Sequence, residues 1–228
     1  MRIFFVPVLF VLMLVAAAKI GWLALIPAVS IGVWLGLELD RLRAQVSIDA
    51  LTHIANRRHF EARLRHDLAA AARYGTHLCL LILDVDHLKI INDARGHAEG
   101  DDALRVVADA LRRCCRAPDT AGRIGGDEFA VLAPMTRAAE GLALAQRIRQ
   151  TINDPQVTVS VGVADLEAAG RVDAGALWSV ADAALYAAKT TGRDRVVVAP
   201  PSPLEGITPL RPRRVDREVG PVRAPRIS

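Results

Sequence analysis

Cysteine is scarce in this chain: three occur in 228 residues, and their spacing fits neither a disulfide framework nor a zinc site. Cys79 lies in an apolar run, and Cys114 and Cys115 are neighbours late in a helical pattern. We therefore expect all three to be packing residues of a domain in a reducing cytoplasm.

Aromatic residues are also few, at 4% of the chain, and no basic, aromatic-lined stretch of the kind that binds nucleic acid occurs. Much of the formal net charge of +4 lies in an arginine-rich segment near the C-terminus. We therefore predict no nucleic-acid partner.

Charge is nearly absent from the first 37 positions, where only Arg2 and Lys19 precede Glu38. As one helix, residues 3–37 would extend about 52 Å, whereas a hydrocarbon core is about 30 Å thick. Two spans, roughly 3–18 and 20–37, fit better and predict a transmembrane hairpin within segment 1–37. The basic residues that flank the hairpin then favour the cytoplasm for the rest of the chain.

A signal peptide is the alternative for residues 1–18, because a basic start and an apolar stretch end there in three alanines. The second span alone would then anchor the chain. Both alternatives predict a membrane-anchored protein with its C-terminal domain in the cytoplasm; the hairpin makes it multi-pass.

The segment 38–48 is predicted to be a helical stem. Apolar residues at Leu35, Leu39, Leu42 and Val46 step by four, three and four, the spacing of a short coiled-coil seam that would support a homodimer. An amphipathic stem lying on the membrane or on the domain is the alternative. At the other end, residues 199–228 are rich in proline and arginine and are predicted to be a disordered tail.

Residues 49–198 alternate between helical and strand patterns. These patterns predict helices over 57–73, 98–115, 137–152 and 174–190, strands over 77–85, 157–164 and 194–198, and a hairpin over 120–133 that turns on two glycines. The order predicts an α/β (α+β) domain with a largely antiparallel sheet flanked by helices.

Carboxylates follow two of the predicted strands. Asp84 and Asp86 end the apolar run 78–83, and the hairpin carries the run Arg-Ile-Gly-Gly-Asp-Glu-Phe at 123–129. The glycines permit a tight turn and a close approach of phosphate to backbone. Carboxylates on adjacent strands can hold hard divalent cations against a triphosphate, so the pattern predicts metal-assisted nucleotide chemistry.

The run at 125–129 reads GGDEF, and the chain resembles the GGDEF family of diguanylate cyclases. Further motifs of that family lie in register at 49–52, 56–58, 84–93, 96–97, 100–101, 160–164, 181–189 and 192–193. The resemblance covers about residues 49–198. It implies a palm-like, ferredoxin-type central sheet and the condensation of two GTP molecules into cyclic di-GMP with release of pyrophosphate.

The resemblance also implies the catalytic and metal-binding residues. Gly125, Gly126, Asp127 and Glu128 form the catalytic turn. Asp84, the Val85 carbonyl and Asp127 would bind Mg²⁺, with Mn²⁺ as the alternative ion. Glu128 would be either a further ligand or part of the activation of the 3′-hydroxyl.

Substrate contacts follow from the same correspondence. Asn92 and Asp101 match the guanine-binding positions, and a carboxylate can accept both guanine N1–H and the exocyclic amine. Lys89, Lys189 and Arg193 match phosphate contacts.

Arg116 and Asp119 stand five residues or more before the glycine turn, at the place of the family's RxxD site, which implies inhibition by cyclic di-GMP. Each domain would hold one GTP, so a homodimer would be part of the mechanism. A catalytically silent domain that binds GTP or cyclic di-GMP as a receptor is the alternative function.

Overall fold

The computed structural model describes residues 29–35 and 47–202. Residues 29–35 are helical with exposed side chains. The rest of the predicted transmembrane hairpin, the stem up to residue 46 and the part of the predicted tail from residue 203 lie outside the described residues. The start of that tail is described, and there Ala199 is buried and its amide donates to the Val163 carbonyl oxygen at 2.8 Å, so the ordered domain extends past the predicted boundary at 198. Among the residues that are described, no helix has both the length and the hydrophobicity that a membrane span needs.

The described residues from Ile48 onward belong to one compact unit. In chain order its elements are β1 (Ala55–Asn56), α1 (Arg57–Tyr74), β2 (Leu78–Val85), α2 (Leu88–Arg95), α3 (His97–Cys114), β3 (Thr120–Arg123), β4 (Glu128–Pro134), α4 (Ala138–Thr151), β5 (Val159–Asp165), α5 (Leu166–Ala169), α6 (Ala174–Thr190) and β6 (Val196–Val198). The predicted helices, strands and hairpin are confirmed, with ends that differ by one or two residues.

Three elements were not predicted from the sequence. Strand β1 and helix α5 have two and four residues, which is too short for a periodic pattern. Helix α2 has eight residues, and its apolar side consists of the buried Leu88 and the partly buried Ile91, a pair too short to establish a helical period in the sequence.

The strands form one sheet in the order β1-β3-β4-β2-β5-β6. The pairs β3/β4, β4/β2 and β2/β5 are antiparallel, as predicted, while the edge strands β1 and β6 pair parallel with β3 and β5. Strand β2 lies at the centre and all eight of its residues are buried. Because helices cover both faces, β2 is a continuous apolar run rather than an alternating one.

Two apolar cores lie on opposite faces of the sheet, because successive strand residues point to opposite sides. Leu81 and Leu83 belong to the core packed by α3 and α4, whereas Leu80 and Ile82 belong to the core packed by α1 and α6. By the same alternation Asp84 lies on the face of α6. This parity places the first carboxylate beside the end of that helix.

Gly162 allows α6 to cross β5 at very close range. A Cβ on Gly162 would overlap the Ala181 carbonyl oxygen and the Leu185 amide nitrogen, which are backbone atoms that cannot rotate away. The absence of a side chain at Gly162 therefore determines the distance between α6 and the sheet, and with it the position of Lys189.

We expect Gly162→Ala to lower the free energy of unfolding by about 1–3 kcal/mol, because an added methyl group forces the helix backbone outward. Urea unfolding of the full chain, followed by circular dichroism, measures the loss. Gly175→Ala in the same helix is the control, since its Cβ would have only an Asp173 carboxylate oxygen nearby, at 3.3 Å. Equal stabilities for the two variants would contradict the close-packing explanation.

Candidate nucleotide site

The end of β2 and the start of β4 bring the predicted carboxylates together. Asp84 is opposite Glu128 in the register of these strands. One residue further, the Val85 amide donates to the Asp127 carbonyl oxygen at 3.1 Å. The glycine turn is closed by the amides of Ile124 and Gly125, which both donate to the Glu128 carbonyl oxygen. The hairpin thus holds Asp127 and Glu128 next to the end of the central strand.

Asp84 is buried, and an ammonium group compensates its charge. The Lys189 Nζ atom, near the C-terminus of α6, lies 2.7 Å from Asp84 Oδ2. Burial raises the pKa of Asp84, and the charges of Asp127 and Glu128 raise it further, whereas the Lys189 ammonium acts in the opposite direction. Three carboxylates are therefore close enough to interact electrostatically, with one lysine among them.

Within the described residues, no set of three or more Asp, Glu, His or Cys side chains is gathered closely enough to bind a metal ion unaided. Lys189 occupies one oxygen of Asp84. The residue types nevertheless suit a hard divalent cation, because Asp84 is opposite Glu128 in strand register, Asp127 directly precedes Glu128, and a triphosphate would supply further oxygens. The carboxylates that repel one another here gain a counter-ion when such a cation binds.

An open cavity of about 490 Å³ lies beside the hairpin. Its size is within the range of small-molecule sites. Five of the predicted residues line it: Lys89, Asn92, Asp101, Gly126 and Asp127. The structure therefore brings the predicted guanine positions and two residues of the catalytic turn to one cavity. The described lining does not include the other predicted site residues of this region, which are Asp84, Val85, Gly125, Glu128, Lys189 and Arg193.

Gly100 makes room for the side chain of Asn92. A Cβ at position 100 would overlap Asn92 Oδ1, and the three nearest atoms to that Cβ all belong to Asn92. The first turn of α3 is thus packed against the side chain of a cavity residue from α2. This role of Gly100 was not predicted from the sequence, where the only indication was its position directly before Asp101.

Arg123 was likewise not assigned a role from the sequence. It lines the cavity, and its Nη2 atom donates to the Gly126 carbonyl oxygen at 2.6 Å, while Nη1 lies 3.4 Å from Asp49 Oδ1. Asp49 also accepts from the Thr52 amide and hydroxyl. Partial burial alone would raise the pKa of Asp49, but the Thr52 hydrogen bonds and the Arg123 charge together bring it below its usual value. The entry residues 49–52 are thereby tied to the glycine turn.

Asp86 has a different environment from Asp84, although the sequence suggested that the two carboxylates emerge together. It is only 3% exposed. Oδ1 accepts from the Ser160 hydroxyl at 2.7 Å, and Oδ2 accepts from the Thr158 hydroxyl at 2.9 Å and from the Asp194 amide at 3.0 Å. Asp86 therefore holds the end of β2, the start of β5 and the loop before β6 together.

Arg116 and Asp119 lie at the other end of β3, about 13 Å of strand away from the glycine turn. The Arg116 amide donates to Asp119 Oδ2 at 2.8 Å, and its guanidinium donates to the buried Thr136 hydroxyl at 3.0 Å. The Asp119 side chain is fully buried, and its Oδ1 atom accepts no hydrogen bond from any described residue. The exposed part of this pair is therefore the Arg116 guanidinium, whereas the Asp119 carboxylate is buried and holds the Arg116 backbone.

The chain is similar in sequence to known proteins. The sequence model of the family described as "Diguanylate cyclase, GGDEF domain" matches residues 46–195. Diguanylate cyclase DgcP of Pseudomonas aeruginosa is 39% identical over 171 residues, which cover 71% of this chain and 25% of that protein. Probable diguanylate cyclase DgcC of Escherichia coli K12 is 39% identical over 168 residues, which cover 70% of this chain and 45% of that protein. The chain thus spans less than half the length of these two relatives.

The solved structures include a similar domain. The GGDEF domain of DgcB from Caulobacter crescentus, in complex with c-di-GMP, superimposes with a TM-score of 0.63 at 35% identity, covering 68% of this chain and 94% of that one. Its fold supports the palm-like arrangement of sheet and flanking helices. The sequence motifs, the hairpin geometry and these matches together show that this chain belongs to the GGDEF domain family of diguanylate cyclases.

Proposed function

We propose that this protein is a diguanylate cyclase, which condenses two GTP molecules into cyclic di-GMP and two pyrophosphates. The observation that supports this most directly is the shared cavity, in which Asp127 of the glycine turn lies with Asn92 and Asp101. A guanine-binding pair and a carboxylate turn at one cavity are what nucleotidyl transfer from GTP requires.

In this reaction each 3′-oxygen forms a bond to the α-phosphorus of the other GTP. The bond between the α-phosphorus and the bridging oxygen of the β-phosphate breaks, pyrophosphate leaves, and the hydroxyl proton passes to base or solvent. Glu128, opposite Asp84 in strand register, would either accept that proton or add a metal ligand. Bound Mg²⁺, or Mn²⁺, would be held by Asp84, the Val85 carbonyl and Asp127, and would supply charge stabilisation of the phosphoryl oxygens.

Guanine recognition is assigned to Asn92 and Asp101. A carboxylate accepts the N1–H and exocyclic amine of guanine, while the Asn92 amide contacts the ring edge. Adenine lacks that donor pair and would leave Asp101 unpaired, so ATP is disfavoured.

Phosphate contacts are assigned to Lys89, Lys189 and Arg193. Lys89 is exposed at the cavity. Lys189 pairs with Asp84 in the structure described here. In the proposed complex its ammonium would transfer to the triphosphate, whose charge exceeds that of one carboxylate.

The active form proposed is a homodimer anchored in the bacterial inner membrane, with the GGDEF domain in the cytoplasm. The family resemblance implies one GTP per domain and the product contains two nucleotides, so the proposed reaction needs two domains that face each other. The apolar sequence of residues 3–37 supports the anchor, and the apolar spacing from Leu35 to Val46 supports dimerisation.

Product inhibition is proposed at Arg116 and Asp119. The largely exposed Arg116 guanidinium can bind a phosphate or guanine edge, and the buried Asp119 carboxylate holds the Arg116 backbone in place for that contact. The relative DgcB was solved in complex with c-di-GMP, which supports the product as a ligand of such domains.

The first test is the activity itself. The full chain, stripped of nucleotide and incubated with GTP and Mg²⁺, is expected to form cyclic di-GMP, detected by chromatography. Asp127→Asn should lower the rate at least about 100-fold, since it removes charge where the phosphoryl group is stabilised. Asp109→Asn, at an exposed surface carboxylate, is the matched control. A dimeric wild type that binds GTP without forming product would favour the receptor alternative.

Gly100→Ala is expected to raise KM for GTP about tenfold, because the new methyl group displaces the Asn92 side chain. The control is the same change in an Asn92→Ala background, where the overlapping atoms are gone and Gly100→Ala should have little further effect. Steady-state kinetics of the four proteins measure this coupling. An equal rise of KM in both backgrounds would disprove the positioning of Asn92 by Gly100.

Arg116→Ala and Asp119→Asn are each expected to weaken inhibition by cyclic di-GMP at least about tenfold, because each removes one charged group from the proposed product site. Initial rates at increasing added product give the inhibition constant. Arg113→Ala removes a neighbouring exposed arginine and should leave that constant unchanged. Unaltered inhibition in both site variants would place the product elsewhere.

A further inference from the structure

The loop between α6 and β6 has an unusual backbone. Arg193 and Asp194 are consecutive residues with φ values of 58° and 42°, in the left-handed region that side-chain residues seldom adopt. Gly192, just before them, has φ of 126°. Such a conformation persists only where the surroundings hold it, and it concentrates at functional sites. The groups that hold this loop are therefore informative.

Asp86 holds the loop from inside the domain. Its Oδ2 atom accepts the Asp194 amide at 3.0 Å, and its other hydrogen bonds, to Thr158 and Ser160, fix the carboxylate on β5. A buried carboxylate with three donors has little freedom to move, because each lost hydrogen bond would leave a buried polar group unpaired.

Arg149 holds the loop from outside. Arg149 belongs to α4, and its Nη1 atom lies 2.9 Å from Asp194 Oδ1. Both side chains of this ion pair are partly exposed. The Arg193 backbone is fixed as well, since its amide donates to the Ala188 carbonyl oxygen at 3.0 Å and its carbonyl accepts from Arg195 Nε at 2.9 Å.

Unlike its backbone, the side chain of Arg193 is not held by the neighbouring residues that the structure describes. Its guanidinium makes no hydrogen bond or ion pair with residues 47–202, and the residue is exposed. A cation on a rigid, strained backbone with no internal partner is arranged to meet an external anion.

We propose that Asp86 and the Arg149–Asp194 pair are positioning groups that hold Arg193 for the β- and γ-phosphates of GTP. The inference rests on the proposed function, in which Arg193 contacts the triphosphate. Asp86 would then act on the triphosphate only indirectly, by fixing the backbone of the loop that carries Arg193.

The test compares binding of two nucleotides to the full chain with Mg²⁺: 3′-deoxy-GTP, which cannot condense, and GMP, which lacks the β- and γ-phosphates. Asp86→Ala should weaken 3′-deoxy-GTP about tenfold, as expected for loss of one charge-assisted contact, and leave GMP within about twofold. In an Arg193→Ala background, Asp86→Ala should cause no further loss, because the contact it positions is already gone. Equal weakening of both nucleotides, or additive losses in the double variant, would overturn the proposal.

Arg149→Ala tests the same role without disturbing the core, in case Asp86→Ala fails to fold. It should weaken 3′-deoxy-GTP about threefold with GMP unchanged, and Arg149→Lys should restore part of that loss. Arg147→Ala is the charge-matched control on the same helix, since Arg147 instead contacts the Cys114 carbonyl oxygen. If Arg149→Ala and Arg147→Ala behaved alike, the proposal would be wrong. A wild type that binds neither nucleotide would overturn the proposed function, and this inference with it.

Discussion

The register of the central strand β2 determines where every group of the candidate site lies. Its eight residues are buried on both faces and pair with β4 on one side and β5 on the other. A slip of one residue would move each side chain to the opposite face, exchange the two apolar cores and take Asp84 away from Lys189. The apolar run therefore does more than fill the interior: it fixes the carboxylate at its end to within a residue.

The buried position of Asp84 requires that its negative charge be compensated, and Lys189 does so. Asp84 ends a strand with no polar residue for six positions before it, so its carboxylate is desolvated and faces two more carboxylates. Lys189 lowers the cost of this arrangement, and its position depends on how closely α6 approaches β5 at Gly162. The close packing of α6 on Gly162 thereby determines where Lys189 pairs with Asp84, at the end of the central strand. A divalent cation held at Asp84 would supply the charge compensation that Lys189 provides in the structure described here.

The long elements and the hairpin could be predicted from the sequence, because burial imposes a period on their apolar residues and two glycines mark the turn. Strand β1, the parallel pairing of the two edge strands, helix α2 and the separation of Asp84 from Asp86 could not. Helix α2 buries only the apolar pair Leu88 and, in part, Ile91, which is too short a pattern to predict a helix. The two aspartates look equivalent along the chain, and they differ only because Thr158, Ser160 and Asp194 arrive from distant positions to hydrogen-bond Asp86. The resemblance named the cavity residues, but spacing alone could not show that Gly100 makes room for Asn92.

Backbone strain marks the same regions independently of side-chain identity. The residues with left-handed φ other than glycine, within 29–35 and 47–202, are His53, His87, Met135, Arg193 and Asp194. Each lies in or next to a segment of the candidate sites described above. His53 follows the entry turn bound by Arg123, and His87 starts α2. Met135 precedes Thr136, the partner of Arg116, while Arg193 and Asp194 belong to the loop held by Asp86. Strain of this kind lowers stability and is retained where neighbouring contacts fix it. Its confinement to these segments argues that the fold holds them rigid so that charged side chains meet a nucleotide without first being ordered.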